Sequence, residues 1–389
     1  MGSVGMDKGK LYYQDSHIKN FTGKVLSCEE TAKGYEIVLG QTTFYPEGGG
    51  QACDLGMLDE AVVLHVKERD ETVIHICDRP LEVGKTVEGT IDWNRRFDLM
   101  QQHSGEHMVS GVIHRMFGWH NVGFHMGSDM VTIDFDGPIP QEALAQIEQA
   151  VNEKIWQNLP IRCWYPGEEE LSTIPYRTKR QLPWPVRIVE IPGVDLCACC
   201  GTHVKNTGEV GLVKLFSCVK FHQGVRIEMA CGARAMALLS KAYEQNRLVS
   251  QAFSAKIMET GEAARKMNEA LAAEKYRAVS LQKQLFSFVA ESYRDKGNVV
   301  HFETELSPAG IRELAEIIAG VCGGIAAVLS GCDGRYDVCL ACPGGDVKEL
   351  GSRMAKELDG RGGGKPGFFQ GSVKATKDDI LNFFQDFGR

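Results

Sequence analysis

Short apolar segments alternate with polar residues over the first quarter of the chain, and this pattern predicts a β-rich domain. The segments at 34–39, 61–66 and 72–76 are rich in β-branched residues and are bounded by Gly, Asp or Pro. Strands of a small barrel have this length and composition. No helical period of useful length interrupts them, so we predict a β-barrel domain over residues 1–95.

A helical period begins after the predicted barrel. Apolar and histidine side chains recur at spacings of three and four from Phe97 to Met116, which predicts a long amphipathic helix that ends at Gly118. A strand hairpin over 121–136, a second helix and further strands follow. We therefore predict an α+β domain over residues 96–232, with its helices against a mostly antiparallel sheet.

The remaining residues predict two further parts. Residues 233–296 contain no proline and one glycine, Gly261, and their apolar spacing predicts a helical hairpin. Strand and helix alternate over residues 297–389, which predicts a C-terminal α/β domain. A homodimer through the hairpin or the C-terminal domain is one hypothesis, and a helical linker packed on its own domain is the alternative. The fold class is therefore α+β, in four parts.

Composition bears on the cellular location of the protein and on the charge of its surface. Hydrophobic content of 43% and charged content of 24% are ordinary for a globular protein, and no apolar run approaches the roughly 20 residues of a membrane helix. Thirteen cysteines lack the density of a disulfide scaffold, and the first residues lack a signal-peptide pattern. We therefore expect a cytoplasmic protein. The net charge of -8 predicts that any contact with RNA is local.

Two histidines on the long helix and a Cys/His pair a hundred residues later are candidate metal ligands. His103 and His107 are four residues apart and therefore project from one face of a helix. Zinc bound by nitrogen and sulfur usually takes four ligands, and the pair Cys199 and His203 would complete the set. Three cysteines compete for the sulfur position, and spacing does not decide among them: Cys197, Cys199 and Cys200.

Two glycine-rich segments are candidate binding sites. The first could contact a ligand or a neighbouring domain, because glycine permits close backbone approach, and it could equally be a flexible hairpin turn. The second, a loop over 360–371, suits phosphate contact through its backbone amides and basic side chains, but it does not have the spacing of a nucleotide-binding motif. The candidate binding residues of the first segment are Gly48, Gly49, Gly50 and Gln51. Those of the second segment are Arg361, Gly363, Gly364 and Lys365.

These motifs together resemble the freestanding alanyl-tRNA editing proteins, the AlaX family, and the editing and C-terminal domains of alanyl-tRNA synthetase. The resemblance rests on His103-x-x-x-His107, Cys199-x-x-x-His203 and the segments 44–51, 207–211, 226–228 and 362–371. It implies a long AlaX form that ends in a DHH-associated domain, Zn²⁺ with Cys199 as the sulfur ligand, and tRNA as the ligand of both glycine-rich segments. Cys200 departs from the family, which commonly has Gly there.

The resemblance implies a zinc-dependent hydrolase that deacylates tRNA(Ala) mischarged with serine or glycine. The alternatives are editing of another mischarged tRNA, such as Ser-tRNA(Thr), and a zinc-stabilised tRNA-binding module without catalysis. A site that hydrogen-bonds the serine hydroxyl can reject substrates that lack it. Glu106 does not have the position of the HExxH glutamate, and a solvated helix-surface residue is its plainer interpretation. The candidate catalytic residues are Thr42, Thr43, His125 and Glu106.

Overall fold

The structure is a computed structural model that describes residues 9–178 and 184–385. These residues form two compact units, and the division between them falls between Leu248 and Val249. Each unit is an α+β arrangement, as predicted for the chain as a whole. Among the described residues, the helices are too short or too polar to cross a membrane.

Six antiparallel strands close into a barrel in the first unit, in the order β1-β2-β5-β4-β3-β6. Alternate residues of β1, including Phe21 and Val25, point into the barrel core. The predicted N-terminal barrel is therefore confirmed. After a short helix α1 (Leu11–Gln14), its strands are β1 (Asn20–Thr31), β2 (Gly34–Leu39), β3 (Gly56–Leu58), β4 (Ala61–Arg69), β5 (Thr72–Cys77) and β6 (Thr86–Ile91).

A single long helix, α2 (Trp93–Phe117), follows the barrel. Its first turn is capped by the carboxylate of Asp92, which accepts a hydrogen bond from the backbone N–H of Arg95 at 3.1 Å. Gly118 ends it in the left-handed conformation, with φ of 78°. The helix therefore ends where the sequence pattern predicts and begins earlier, at Trp93, before the first apolar residue of that pattern, Phe97.

The prediction that α2 is amphipathic is wrong, because every residue from Leu99 to Ile113 is buried. One end of the helix is held to the barrel by an ion pair between Arg96 and Asp54, both fully buried. Arg96 Nε lies 3.0 Å from each oxygen of Asp54. Polar residues that look like a solvated face in the sequence are therefore enclosed by protein and must find partners there.

Two antiparallel sheets and α3 enclose the rest of α2. The four-stranded sheet has the order β12-β13-β8-β7, and a three-stranded sheet has the order β11-β10-β9. Helix α3 buries a stripe at spacings of three and four that includes Ile147, Val151 and Ile155. The elements are β7 (Asn121–Met126), β8 (Val131–Phe135), α3 (Ala143–Trp156), β9 (Arg162–Trp164), α4 (Glu168–Leu171), β10 (Ile188–Ile191), β11 (Asp195–Ala198), a 3₁₀ helix (Thr207–Val210), β12 (Val213–Phe221) and β13 (Gly224–Cys231).

Helix α5 (Gly232–Phe253) contains the division between the units, and a 3₁₀ helix (Ile257–Glu259) and the long helix α6 (Thr260–Glu291) follow. The helical content predicted for this segment is confirmed. The apolar stripe of α6 is exposed at Met267, Leu271 and Leu285. The predicted homodimer through this region stays a prediction.

The second unit contains a five-stranded sheet in the order β14-β15-β16-β18-β17, in which β14 and β15 are parallel and the other pairs antiparallel. Helices α6 and α7 pack on one face and α8 and α9 on the other. The glycine-rich segment predicted as a loop forms a β-hairpin. The elements are β14 (Gly297–Glu303), α7 (Pro308–Cys322), β15 (Gly323–Cys332), β16 (Arg335–Ala341), α8 (Lys348–Glu357), β17 (Arg361–Lys365), β18 (Phe368–Val373) and α9 (Lys377–Gln385).

Candidate metal centre

The four predicted metal ligands meet at one point in the first unit. One ligand atom each from His103, His107, Cys199 and His203 lies within 4.8 Å of the others. Cys199 Sγ is 3.4 Å from Nε2 of His103 and 3.4 Å from Nε2 of His203. Cys200 is not a member of this group. The arrangement therefore offers three imidazole nitrogens and one sulfur, a set suited to zinc.

The loop that carries Cys199 is held by Arg187, the residue that precedes β10. One guanidinium nitrogen, Nη1, donates to the carbonyls of Cys199 and Gly201, both at 2.9 Å. Gly201 is required by the close approach of α2, since a Cβ there would lie 2.0 Å from Cε1 of His103. Burial lowers the pKa of the Arg187 guanidinium, but the surrounding thiols Cys163 and Cys199 outweigh it and hold the pKa above its ordinary value.

A buried amide from the glycine-rich loop orients His103. Oε1 of Gln51 accepts from His103 Nδ1 at 2.9 Å and from the backbone N–H of Thr202 at 3.2 Å. Its Nε2 donates to the Thr202 hydroxyl at 2.8 Å, which fixes the orientation of the amide. Gln51 is 1% exposed. It therefore leaves His103 Nε2 to face the centre and ties the barrel loop to the Cys/His loop.

The other two imidazoles are oriented by a carboxylate and a hydroxyl. His107 Nδ1 donates to Asp195 at 3.0 Å, and Asp195 is held in turn by Arg177 through contacts of 2.7 and 2.9 Å. His203 Nδ1 lies 3.2 Å from Ser104 Oγ. In all three histidines the Nδ1 atom is engaged and Nε2 faces the other ligands, which is the arrangement that metal-binding histidines need.

The electrostatics of the centre favour a thiolate. Burial raises the pKa of the Cys199 thiol, but the adjacent His103 and His107 imidazoles outweigh it and hold the pKa well below its ordinary value. Burial lowers the pKa of His203 to about 3. Asp195 keeps a lowered pKa despite its burial, because it bonds to His107 and Arg177. The thiolate is the form of cysteine that binds metals.

The centre opens into a cavity of about 500 Å³. The ring of Phe124 stacks on His103 with centroids 5.5 Å apart and forms one wall. Gly49 lies at its edge. A cavity of this size lies within the range of small-molecule binding sites. Its lining consists of Gly49, His103, Glu106, His107, His120, Asn121, Phe124, Arg177, Thr178, Pro185, Val186, Arg187, Cys197, Ala198, Cys199 and Cys200.

Glu106 lies in this cavity wall, so its interpretation as a solvated helix-surface residue is wrong. The side chain is 5% exposed. Its Oε1 accepts from Ser110 and from Asn121, both at 2.5 Å, while Oε2 lies 4.0 Å from Nε2 of His107. One carboxylate oxygen is therefore occupied by protein donors and the other is directed towards the metal ligands.

The structure does not bring the other three candidate catalytic residues to the cavity. The Thr42 hydroxyl lies 2.8 Å from His75 Nε2 inside the barrel, and the Thr43 hydroxyl donates to the carbonyl of Ile18 at 3.0 Å. His125 is exposed. Because successive strand residues point to opposite faces, its neighbour Phe124 faces the cavity instead.

The first glycine-rich segment is a tight turn against the cavity wall. Gly48 and Gln51 exchange two backbone hydrogen bonds of 3.1 and 3.0 Å. Gly50 has φ of 84°, and a Cβ there would lie 2.6 Å from the ring of Phe124. A Cβ on Gly49 would meet nothing within 4 Å, so this glycine is open to a ligand. Contact of these glycines with tRNA stays a prediction, whereas Gln51 is committed to His103.

The second segment forms the edge strand β17, in which all five residues are exposed. Gly362 and Gly364 allow close approach, because a Cβ on either would lie within 2.6 Å of β18 or its ring Phe369. Contact of Arg361, Gly363, Gly364 and Lys365 with tRNA stays a prediction.

The sequence did not indicate that Asp195 and Gln51 orient the metal-ligand histidines. Asp195 is 88 positions from His107, and Gln51 is 52 positions from His103. No local spacing connects such pairs, because they meet through the packing of the barrel, α2 and β11. Glu106 was predicted as a candidate catalytic residue, and the sequence signal for its burial is the run of polar residues within a segment of helical period.

Two family models match the chain. The model described as "Threonyl and Alanyl tRNA synthetase second additional domain" matches residues 186–228, and "tRNA synthetases class II (A)" matches residues 8–95. The first match contains both ligands of the Cys/His loop. The second covers the strands of the barrel.

Two curated relatives align along most of this chain. "Alanyl-tRNA editing protein Aarsd1" of Mus musculus is 32% identical over 393 residues, which cover 94% of each chain. "Alanine--tRNA ligase" of Ignicoccus hospitalis is 31% identical and covers 92% of this chain and 40% of the ligase. The crystal structure of the C-Ala domain from Aquifex aeolicus alanyl-tRNA synthetase covers 23% of this chain and 86% of that domain, with 20% identity and a TM-score of 0.21. The chain belongs to the family of alanyl-tRNA editing proteins, which is related to the editing and C-terminal parts of alanyl-tRNA synthetase.

Proposed function

We propose that this protein hydrolyses the aminoacyl ester of tRNA(Ala) mischarged with serine or glycine, at a zinc ion held by His103, His107, Cys199 and His203. The observation that carries the proposal is the convergence of these four side chains at the wall of one cavity. Family membership supplies the substrate class. The proposed location is the cytoplasm, where aminoacyl-tRNA is used.

The residues fit a zinc ion by donor type and by distance. Tetrahedral zinc with bonds of about 2.1 Å to nitrogen and 2.3 Å to sulfur separates those two ligand atoms by about 3.5 Å. The distances from Cys199 Sγ to Nε2 of His103 and His203 are both 3.4 Å. When bound, the ion would supply Lewis-acid polarisation and an anchor for the end of the substrate, with a fifth ligand position available on expansion.

Glu106 is the proposed general base. Its Oε2 is directed towards the metal ligands, 4.0 Å from His107 Nε2, and its Oε1 is held by Ser110 and Asn121. In this position the carboxylate takes a proton from the attacking water, whose oxygen bonds to the ester carbonyl carbon. Collapse of the tetrahedral intermediate breaks the bond to the ribose oxygen, which leaves with a proton as a hydroxyl group.

Glycines that are exposed or partly exposed, together with exposed basic residues, are the proposed tRNA contacts. Those beside the cavity are Gly48, Gly49 and Gly50, and those of the second unit are Arg361, Gly363, Gly364 and Lys365. Backbone N–H groups and positive side chains bind phosphate without reading sequence. A local contact of this kind suits a chain whose net charge is negative.

A deacylation panel tests the proposal. Ala-, Ser- and Gly-tRNA(Ala), with Ser-tRNA(Thr) as a fourth substrate, are incubated with the zinc-loaded protein and with protein treated with a chelator. We expect hydrolysis of Ser- or Gly-tRNA(Ala), little of Ala-tRNA(Ala), and loss of activity in the chelator. Faster hydrolysis of Ser-tRNA(Thr) would favour the other substrate, and tight tRNA binding without hydrolysis would favour a binding module.

The requirement for metal is tested separately with the double variant His107→Ala, Cys199→Ala. We expect it to lose bound zinc and deacylation together, because the remaining two ligands no longer form a tetrahedral set. Val122→Ala, at an exposed position of β7, is the matched control. Deacylation retained by a double variant shown to be metal-free would refute the zinc-dependent mechanism.

A further inference from the structure

An unpaired buried acceptor lies in the wall of the cavity. Asn121, the first residue of β7, is 6% exposed and lines the cavity beside Glu106. Its Oδ1 has no hydrogen-bond partner within residues 9–178 and 184–385. Buried polar atoms in folded proteins are usually paired, so an unpaired acceptor at a ligand cavity marks a position where a ligand donates.

The orientation of this amide is set by its other end. Nδ2 donates to Glu106 Oε1 at 2.5 Å and to Ser110 Oγ at 3.2 Å. The Ser110 hydroxyl donates to the same Glu106 oxygen at 2.5 Å, which leaves its own oxygen to accept. Flipping the amide would place Oδ1 against the carboxylate, with lone pairs facing each other. Asn121 Oδ1 is therefore the atom of this amide that remains available to a ligand.

The donor that fits is a neutral hydroxyl rather than an ammonium group. A positively charged amine is better paired by a carboxylate than by an amide, and Glu106 Oε2 lies nearer the metal ligands, at 4.0 Å from His107 Nε2. Asn121 bonds to the other oxygen of that carboxylate, Oε1. The side-chain hydroxyl of serine is further from the ester carbonyl than the amine is.

We propose that Asn121 Oδ1 accepts the hydrogen bond of the serine side-chain hydroxyl and is a specificity-determining residue of the site. This rests on the proposed deacylase function. Serine then satisfies the buried acceptor, whereas alanine brings a methyl group against it and leaves it unpaired, which penalises the correctly charged tRNA. Glycine has no side chain, so its hydrolysis does not depend on this hydrogen bond.

The test is the ratio of kcat/KM for Ser-tRNA(Ala) to kcat/KM for Gly-tRNA(Ala), measured on one preparation of each protein. The ratio is independent of the fraction of active protein, so a partly folded variant still gives an answer. In Asn121→Ala we expect the ratio to fall roughly tenfold or more. In the control Val122→Ala, an exposed neighbour on the same strand, we expect the ratio of the unmodified protein.

Glu106→Gln is the second variant. It replaces the acceptor-only partner of the Asn121 amide, so the amide is free to flip and the ratio should fall by a smaller factor, while both rates fall through loss of the base. An unchanged ratio in Asn121→Ala, with both substrates slowed equally or not at all, would overturn the assignment. If the unmodified zinc protein hydrolyses neither substrate, the proposed function fails instead, and the two failures are distinct.

Discussion

Replacing Gln51 by alanine should weaken zinc binding, although Gln51 contacts no metal. The side chain is buried and makes three hydrogen bonds: it accepts from His103 Nδ1 at 2.9 Å and from the Thr202 N–H at 3.2 Å, and it donates to the Thr202 hydroxyl at 2.8 Å. Gln51→Ala removes all three. The His103 ring then loses the contact that directs Nε2 towards Cys199.

The expected magnitude follows from these contacts. Loss of a group that orients a metal-binding histidine typically reduces metal affinity by about 10–100-fold. That factor corresponds to about 1.4–2.7 kcal/mol of binding free energy. Because Gln51 also connects the two loops that meet at the centre, we expect the upper half of this range. Gln51→Glu is the matched control, since a carboxylate keeps the acceptor for His103 and for the Thr202 N–H.

Competition with a chromogenic chelator measures zinc affinity, and filter binding measures tRNA affinity on the same proteins. We expect Gln51→Ala to lower zinc affinity strongly, Gln51→Glu to lower it less, and zinc-saturated Gln51→Ala to bind tRNA normally. The sequence pattern instead predicts Gln51 as a tRNA contact. Unchanged zinc affinity together with weakened tRNA binding would refute the orienting function and support the sequence-based interpretation.

Three further predictions concern buried ionisable groups. Asp195→Asn should lower zinc affinity by about 10–100-fold in the same competition assay, because it weakens the hydrogen bond that orients His107. His75 has its pKa lowered to about 4 by burial, so it stays neutral in the folded state and becomes protonated in the unfolded chain below pH 6.5. Stability should therefore be full above pH 6.5 and fall by about 3 kcal/mol on acidification to pH 4, and urea titrations should show a smaller loss in His75→Gln. Arg96→Ala and Asp54→Ala should each destabilise the protein by about 3–5 kcal/mol, and the double variant by less than the sum.

The sequence predicts the fold best where a periodic pattern of apolar residues has a single structural explanation. Alternating apolar residues predict the strands of the barrel, because each strand has one face in the core and one in solvent. The long helix could be placed from its apolar spacing and the glycine that ends it. Its environment could not, because Gln101, Gln102 and Ser104 are buried among partners from other elements, and a polar residue looks the same in either setting. The edge hairpin containing Gly363 was missed because glycine has low strand propensity.

The candidate site likewise contains some residues that the sequence predicts and others that it does not. Ligands four residues apart, such as His103 and His107, can be found in the sequence because helix geometry fixes their relation. The assignment of His125 rather than Phe124 shows the limit within a strand, where an error of one residue changes the face. Partners such as Asp195 come from distant segments, and their pairing is set by packing that no local pattern encodes.

Helix α2 carries two of the proposed metal ligands and also Glu106, which bonds to the proposed specificity residue Asn121. A helix buried over its whole circumference must pair every polar side chain, since an unpaired buried group costs about 1–3 kcal/mol. Gln102 bonds to both backbone groups of Cys231, and Ser110 and Asn121 both bond to Glu106. The pairing continues beyond the helix to Asn121, the first residue of β7, and stops at its Oδ1, which has no hydrogen-bond partner in the described residues. The hydroxyl of a serine substrate would complete the network. Its binding would then supply the hydrogen bond that Asn121 Oδ1 lacks in the free protein.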